Sequence, residues 1–505
     1  MPPKRPNPRK LFPSNPWIRF APAAAVLLLA GCAVGPDYRR PETAPPAAFK
    51  EAPADWKTAA PSDAADRGTW WRTFNDPELN ALEERVAVSN QTLAQNVANY
   101  EEARQLARSD RTSFLPLLSA NGSAGRSKAP AVANSPVSPS PVNNFSASLA
   151  ASWEPDLWGK LSRTVESDVA TAQADAAALA SARLSIQTTL AEDYIQLRVL
   201  DQKQQLLNNA VEAYRRSLKI STNKYAVGVA ARSDVILAQT QLDSTRAQSI
   251  DVGVQRSQLE HAIAVLVGTA PSAFSIAGRP AADLAVPAIP AQMPSSLLER
   301  RPDVAQAERE VASANARIGV QTAAYFPAIS LTGDLGYQSS RLSKIFEAPF
   351  RFWSLGGQVS DALLDWGQRR DQVLAARAVY NGSVANYRQV VLTAFQQVED
   401  NLSGLRILAE EAAVEDVAVN EAAEAARISQ NEYNAGTVDY TTVVTAEVTE
   451  LNNRESALAI LEERLVSSAA LMAALGGGWD ASDLPSAGQV VGHDSQAPEA
   501  VAAVK

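Results

Sequence analysis

Two stretches of this chain, Lys160–Tyr225 and Gln368–Tyr433, each run for 66 residues without a proline. Proline removes a backbone donor and clashes with the preceding turn, so its absence leaves each stretch free to form one helix. At 1.5 Å per residue such a helix is about 100 Å long. In the first stretch Ala172, Leu179, Ile186, Leu200, Leu207 and Tyr214 share one heptad position. Ala176, Leu190, Leu197, Val211, Leu218 and Tyr225 share another, with Asp193, Arg183 and Gln204 interrupting the two series. An apolar repeat held this long predicts coiled-coil packing rather than a lone surface helix. Helices of compact domains are far shorter. A cytoskeletal rod would fit these runs alone, but the segments between them argue against it.

The chain is also a tandem duplication. Gln91–Pro116 aligns without gaps on Pro302–Pro327 at an offset of 211 residues, setting Ala94-Gln95 on Ala305-Gln306, Ala103 on Ala314 and Pro116 on Pro327. Trp158-Gly159 falls on Trp366-Gly367, Tyr225 on Tyr433 and Gly228 on Gly436, all at an offset of 208. Landmarks matching in one order point to two copies of about 200 residues. Each copy reads as helix, strand pair, long helix, tight turn, long helix.

The strand segments alternate. Phe145, Ala147, Leu149, Ala151 and Trp153 face one way and Ser146, Ser148, Ala150 and Ser152 the other. In the second copy Pro327, Ile329, Leu331, Gly333, Leu335 and Tyr337 oppose Ala328, Ser330, Thr332, Asp334, Gly336 and Gln338. Strands are expected at about 115–126, 142–154, 326–338 and 350–364. Segments of about ten residues, apolar on one face and polar on the other, suit a membrane β-barrel. A sandwich strand alternates too, but the chain has no further β-structure to form a second sheet. Trp153, Trp158, Tyr325, Tyr337, Trp353 and Trp366 lie near the strand ends, as interfacial girdles require. Four strands do not close a barrel, and lipid tolerates no open edge, so several chains must assemble.

Composition excludes other classes. Of 505 residues, 46 are Lys or Arg and 55 Asp or Glu, a net charge of −9. Five of the bases (Lys4, Arg5, Arg9, Lys10, Arg19) sit in an N-terminal leader, so the remainder is more acidic still and has no basic face for nucleic acid. One cysteine and two histidines, His261 and His493, argue against disulfides, a metal site and histidine catalysis. The acidic pairs Glu410-Glu411 and Glu462-Glu463 read as solvated helix faces, not as general acid–base partners. Residues 1–31 read as a signal peptide, whose apolar core Ala21–Ala30 is too short to span a bilayer. Beyond residue 32 no apolar run reaches about 18 residues, so no transmembrane helix is expected. The leader ends in Leu29-Ala30-Gly31-Cys32, which resembles the bacterial lipobox. That resemblance makes Cys32 a lipid-attachment (palmitate-type) residue, and Ala33 after it, rather than aspartate, implies the outer membrane. Apart from this covalent lipid, no cofactor is implied.

Several motifs then combine: Cys32-Ala33-Val34-Gly35-Pro36-Asp37-Tyr38, Trp70-Trp71, Phe74-Asn75-Asp76-Pro77-Glu78-Leu79, Leu298-Glu299-Arg300-Arg301-Pro302-Asp303 and Leu475-Gly476-Gly477-Gly478-Trp479. Together they resemble the NodT-type outer-membrane efflux lipoproteins of the TolC-like outer-membrane factor superfamily. The resemblance implies a mainly α fold with a transmembrane β-barrel. Each protomer of a homotrimer would give four strands to a twelve-stranded barrel and long coiled-coil helices to a periplasmic α-barrel. It implies no enzyme, but the exit duct of a tripartite pump, joined by a periplasmic adaptor to an inner-membrane RND transporter and passing drugs or toxic compounds. A type I protein-secretion duct and a structural periplasmic lipoprotein without a pore are the alternatives.

The expected layout is a lipidated extended segment at 32–77, a first repeat at 78–267, a linker at 268–296, a second repeat at 297–475 and a flexible tail at 476–505. Ala129–Asn144 and Ser339–Pro349 are expected to be external loops, the first of them mobile. The hairpin tips fall at about 224–235 and 432–442. Gly228 and Gly436 suit the left-handed turn there, and Ser233 and Thr441 are expected to cap the returning helices. By resemblance, Val227, Gly228, Val229, Ala435, Gly436 and Thr437 meet the adaptor. Asp234, Tyr433, Thr441 and Thr445 form the gate, with Tyr433 and Asp234 matching the family's tyrosine–aspartate contact. Thr445 stands where relatives carry the acid of a carboxylate ring.

Overall fold

The protein is described by a computed structural model, covering residues 33–43, 46, 48–51, 68–128, 130, 140–280, 285–287 and 300–492. The signal peptide, Cys32 and residues 493–505 lie outside these, as do most of the Ala129–Asn144 loop and much of the linker. The first copy contains α2 (Gln91–Thr112), β1 (Leu117–Ser127), β2 (Val142–Trp153), α3 (Lys160–Ala226) and α4 (Arg232–Leu266), preceded by α1 (Pro77–Ser89). The second contains α5 (Pro302–Ala323), β3 (Ala328–Ser339), β4 (Arg351–Ser360), α6 (Gln368–Ala435) and α7 (Tyr440–Ala474), followed by the short α8 (Ala487–Val491). Equivalent helices have nearly equal lengths: 22 and 22 residues, 67 and 68, 35 and 35. The duplication is therefore structural as well as sequential.

The chain forms two compact units, and neither follows one repeat. The first takes Leu106–Val169 and Ala312–Asn381 together with the described residues before Arg40. It holds one antiparallel sheet in the order β1-β2-β3-β4, so strands of the two copies meet at the β2–β3 pair. The strands that follow prolines begin just after them. Pro116 precedes β1 and Pro327 precedes β3, neither ring offering an N–H to the ladder. The Pro327 carbonyl is taken by Trp158 Nε1 at 2.8 Å, which helps start β3 at Ala328 instead of 326. β4 stops at Ser360 rather than 364. Arg369 binds the Asp361 carboxylate at 3.0 Å and the Ala362 carbonyl, drawing the chain off the sheet. The Ser339–Pro349 loop forms two short 3-10 turns around the buried Ile345.

The second unit takes Arg40–Gln105, Ala170–Val311 and Gly382–Lys505 in their described parts. Its core gathers Trp70, Trp71, Leu79 and Val86 against Leu93 and Tyr100 of α2, Leu179, Leu190 and Leu197 of α3, Ile263 of α4 and Leu465 of α7. The α3 heptad series supplies the seam, while its interrupters Arg183, Asp193 and Gln204 are only half-buried. Lower along α3, Leu200, Leu207, Val211 and Tyr214 pack on Leu242 and Val252 of α4 and Leu451 of α7.

The family-like motifs prove to be fold constraints. Asn75 turns at φ +52°, Asp76 caps α1 by accepting from the Glu78 and Leu79 N–H groups, and Pro77 occupies the first turn. Arg301 grips Asp303 through two bonds of 3.0 and 2.6 Å and donates to the Ala474 carbonyl at 3.0 Å, closing the end of α7. Residues 476–492, part of the expected flexible tail, carry two capping boxes and a fully buried Val490. Gly476 has φ +100°, and a Cβ there would lie 2.1 Å from the Arg300 carbonyl oxygen. Gly476→Ala should therefore cost about 1–3 kcal/mol through backbone strain and that clash. A helical circular-dichroism melt reads it out, and an unshifted melting temperature would contradict the account.

Candidate functional site

The sheet has two chemically distinct faces, fixed by its register. Leu118, Ala120 and Ala124 of β1 stand beside Ala151, Leu149 and Phe145 of β2. Leu149 and Trp153 stand beside Leu335 and Leu331 of β3, and Leu335 beside Trp353 of β4. Among the described residues nothing covers this face: Trp353 is 74% exposed, Leu355 81% and Val359 67%. The opposite face carries Ser119, Asn121 and Ser123, then Ser146, Ser148 and Ser152, then Ser330, Thr332, Asp334 and Gln338, then Ser354 and Gln358. Its large apolar residues are Leu117 and Val142 at strand ends and Phe352, which stands opposite Gly336.

Aromatic rings collect at both ends of the strands. At the helix end Trp158 stacks on Phe326 at 4.9 Å, and the Arg369 guanidinium lies 5.7 Å from the Tyr325 ring. Trp153 donates to the Phe114 carbonyl at 3.0 Å. At the loop end Tyr337 meets Phe346 edge-on at 5.6 Å. From Leu331, paired with Trp153, to Tyr337 is about 20 Å of strand, comparable with the apolar band of an outer-membrane barrel.

The hairpin tips lie in the second unit and share one turn geometry. Gly228 and Gly436 both have φ +79°. The Gly228 N–H donates to Tyr225 O and the Val229 N–H to Lys224 O. Gly436 and Thr437 repeat this on Tyr433 and Glu432. These paired bonds form a Schellman closure, which needs a residue free to enter the left-handed region. Ser233 and Thr441 are not the caps. The flanking residues are Ala231 and Asp439, without side-chain caps, so both hydroxyls fall inside the first helical turn. Val227 and Val229 are exposed apolar knobs, and Gly228, Ala435, Gly436 and Thr437 are exposed around them.

The expected gate residues divide into two groups. Tyr433 is buried with Tyr440, Val443 and Ala238, its ring 5.1 Å from that of Tyr440. Its hydroxyl lies 3.4 Å from Ser221 Oγ. Within the chain it makes no hydrogen bond to Asp234, which instead accepts from the neighbouring Ser233 hydroxyl at 3.3 Å. Thr441 and Thr445 are exposed on one face, where the Thr445 hydroxyl donates back to Thr441 O at 2.9 Å.

Two residues outside the expected gate set brace the hairpins. Lys224 Nζ sits 3.8 Å from the centre of the Tyr433 ring and donates to the Tyr433 carbonyl. A lysine one residue before the turn-closing tyrosine was the available signal. Glu447 of α7 accepts from Ser217 of α3 at 3.3 Å, beside Gln430 of α6, while Tyr214 reaches the Glu447 carbonyl at 3.4 Å. Burial pushes the Glu447 carboxyl up to about 7, with the Ser217 hydroxyl opposing the rise and Glu450 adding to it.

Against known proteins, the family model for outer membrane efflux proteins matches residues 82–269 and 293–477. The pyoverdine export outer membrane protein OpmQ of Pseudomonas aeruginosa is 29% identical over 463 residues, covering 90% of this chain and 96% of its own. The probable efflux pump outer membrane protein TtgC of Pseudomonas putida is 28% identical over 467 residues, covering 90% and 95%. The solved outer-membrane channel OprN superposes with a TM-score of 0.82 at 30% identity, covering 89% of this chain and 100% of that one. Both matched segments carry the same helix–strand–strand–helix–helix order, and the chain belongs to the outer membrane efflux protein family.

Proposed function

We propose that three copies of this chain close a twelve-stranded barrel in the outer membrane and extend it as a helical duct through the periplasm. The carrying observation is the sheet: among the described residues it has four strands, an uncovered apolar face and outer edges on β1 and β4 without a strand partner. In hydrocarbon each unpaired N–H or C=O costs several kcal/mol, roughly as much again for every further group on the edge. Closure by further copies removes that cost, and the family resemblance supports three. The work of the assembly is conduction, not catalysis. Its cargo is small organic molecules such as drugs or toxic compounds, delivered by an RND transporter through a periplasmic adaptor. The exposed Val227 and Val229 knobs and the matching 435–437 turn support these tips as the adaptor contact.

Cys32 is proposed to carry the lipid. Val34 N donates to Trp158 O at 3.2 Å, Asn315 donates to Pro36 O at 2.9 Å and Arg163 binds Asp37 at 2.8 Å. The segment after Cys32 is thus held beside the helix-end aromatic ring, where acyl chains would enter the same leaflet. Cys32→Ser should abolish metabolic labelling with palmitate, while the barrel still inserts. Labelling that persists would refute the assignment.

The resting duct is proposed to close by packing at the tips. Thr441 and Thr445 offer neutral hydroxyls instead of a carboxylate ring, and the Lys224–Tyr433 and Glu447–Ser217 contacts hold the two hairpins together. A free glutamate titrates near about 4.3, whereas the packed Glu447 holds its proton to about 7. The packed form therefore binds more protons than an opened one between these values, and packing weakens as pH rises through that window. Resting conductance of the purified assembly in planar bilayers should rise from about pH 4.5 to about pH 7 and level off above it. Glu447→Gln should flatten the rise, and an unaltered pH profile in that variant would sink this gate. The duct itself is tested by mass in detergent together with the same recording. A trimeric mass with ion conductance is expected, and a conducting monomer or a silent trimer would overturn it.

A further inference from the structure

The polar face of the sheet is almost free of charge. Among the strand residues of β1 to β4 only Arg126, Asp334 and Arg351 are of charged type. Arg126 and Arg351 lie near the loop ends of their strands and, by alternation, on the apolar side, Arg351 opposite Tyr337. Asp334 is different. It is the seventh of the 12 residues of β3, and its cross-strand neighbours are Ala150 and Ser354. Ser354 Oγ donates to its carboxylate at 3.2 Å. No Lys or Arg of the described residues forms an ion pair with Asp334, so its charge faces a field of Ser, Thr, Asn and Gln uncompensated.

We infer that Asp334 is a charge-selectivity residue of the duct: in the closed barrel its copies form a carboxylate ring midway along the lumen that favours cations, including cationic organic cargo, over anions. The inference rests on the duct reading above. The apolar face of the same strands must meet lipid, which turns the Asp334 face inward. A ring of carboxylates in a narrow polar pore concentrates counter-ions and excludes co-ions, as in cation channels. Low-dielectric walls strengthen that field. Hydroxyl and amide neighbours bind the permeating ion weakly, so it enters without being trapped. The helical part of the duct carries acids of its own, so the quantity that isolates Asp334 is the difference between parent and variant.

The experiment is the reversal potential of the reconstituted full-length protein under a potassium chloride gradient. The parent should prefer potassium at about 0.1 M salt, where the Debye length is about 10 Å, and lose most of that preference near 1 M, where it is about 3 Å. Asp334→Asn should lower the cation-to-anion permeability ratio at low salt, on the order of severalfold, with single-channel conductance at high salt little changed. Asp334→Lys should move the ratio past that of Asp334→Asn towards anions. A conducting Asp334→Asn assembly with the parent's ratio at low salt would overturn the inference and leave the duct standing. Absence of conductance from the parent would instead overturn the duct, and the inference with it. Asp334→Asn should leave the sheet intact, because the position is half-buried and Ser354 can hydrogen-bond the amide oxygen in place of the carboxylate.

Discussion

The outer edges of β1 and β4 govern how this chain can exist. Each edge presents a row of backbone donors and acceptors, and the adjoining face of Leu, Phe and Trp side chains seeks hydrocarbon. Water would satisfy the edges but not the face, and lipid the face but not the edges. In the proposed assembly, pairing β4 of one chain with β1 of another would resolve both demands at once. The helices leaving β2 and β4 have near-equal lengths, 67 and 68 residues, as the duplication of the chain leads one to expect.

The two repeats are alike in backbone and unlike in side chains, and the differences fall at the tips. Both turns close by the same pair of hydrogen bonds around a left-handed glycine. Yet the tyrosine before that glycine is half exposed in the first tip, as Tyr225, and buried in the second, as Tyr433. Lys224 of the first tip reaches across to the second. A duplicated fold has therefore been specialised so that one hairpin clamps the other. A protonated Glu447 between α3 and α7 is compatible with tight packing, because a neutral carboxyl is far cheaper to bury than a charged one.

Much of the architecture was legible because it rests on periodicity. A seven-residue repeat and a two-residue repeat each dictate one partner geometry, so the long helices, the four strands and even the strand faces followed from position alone. Strand ends were less legible. Where β4 stops depends on Arg369 reaching back eight residues to Asp361, a tertiary contact with no local signature. The helix caps failed for a related reason: Ala231 and Asp439 flank helices that packing, not a side-chain cap, holds in place. The expected Tyr433–Asp234 contact came from resemblance. In this chain Lys224 and Ser221 occupy the surroundings of Tyr433 instead.

The motifs that made the family recognisable carry little of its chemistry. Asn75-Asp76-Pro77 starts α1, Arg301-Pro302-Asp303 locks the end of α7, and Gly476 passes close under the Arg300 carbonyl. Each is a place where backbone geometry admits few side chains, so a common fold imposes a common sequence there. A duct asks the reverse of its lumen. Many small polar residues serve equally well for passage, and a single charge against that neutral background is enough to alter which solutes pass. Recognition and selectivity thus occupy different residues: the first where the chain has no freedom, the second, at positions such as Asp334, where it has most.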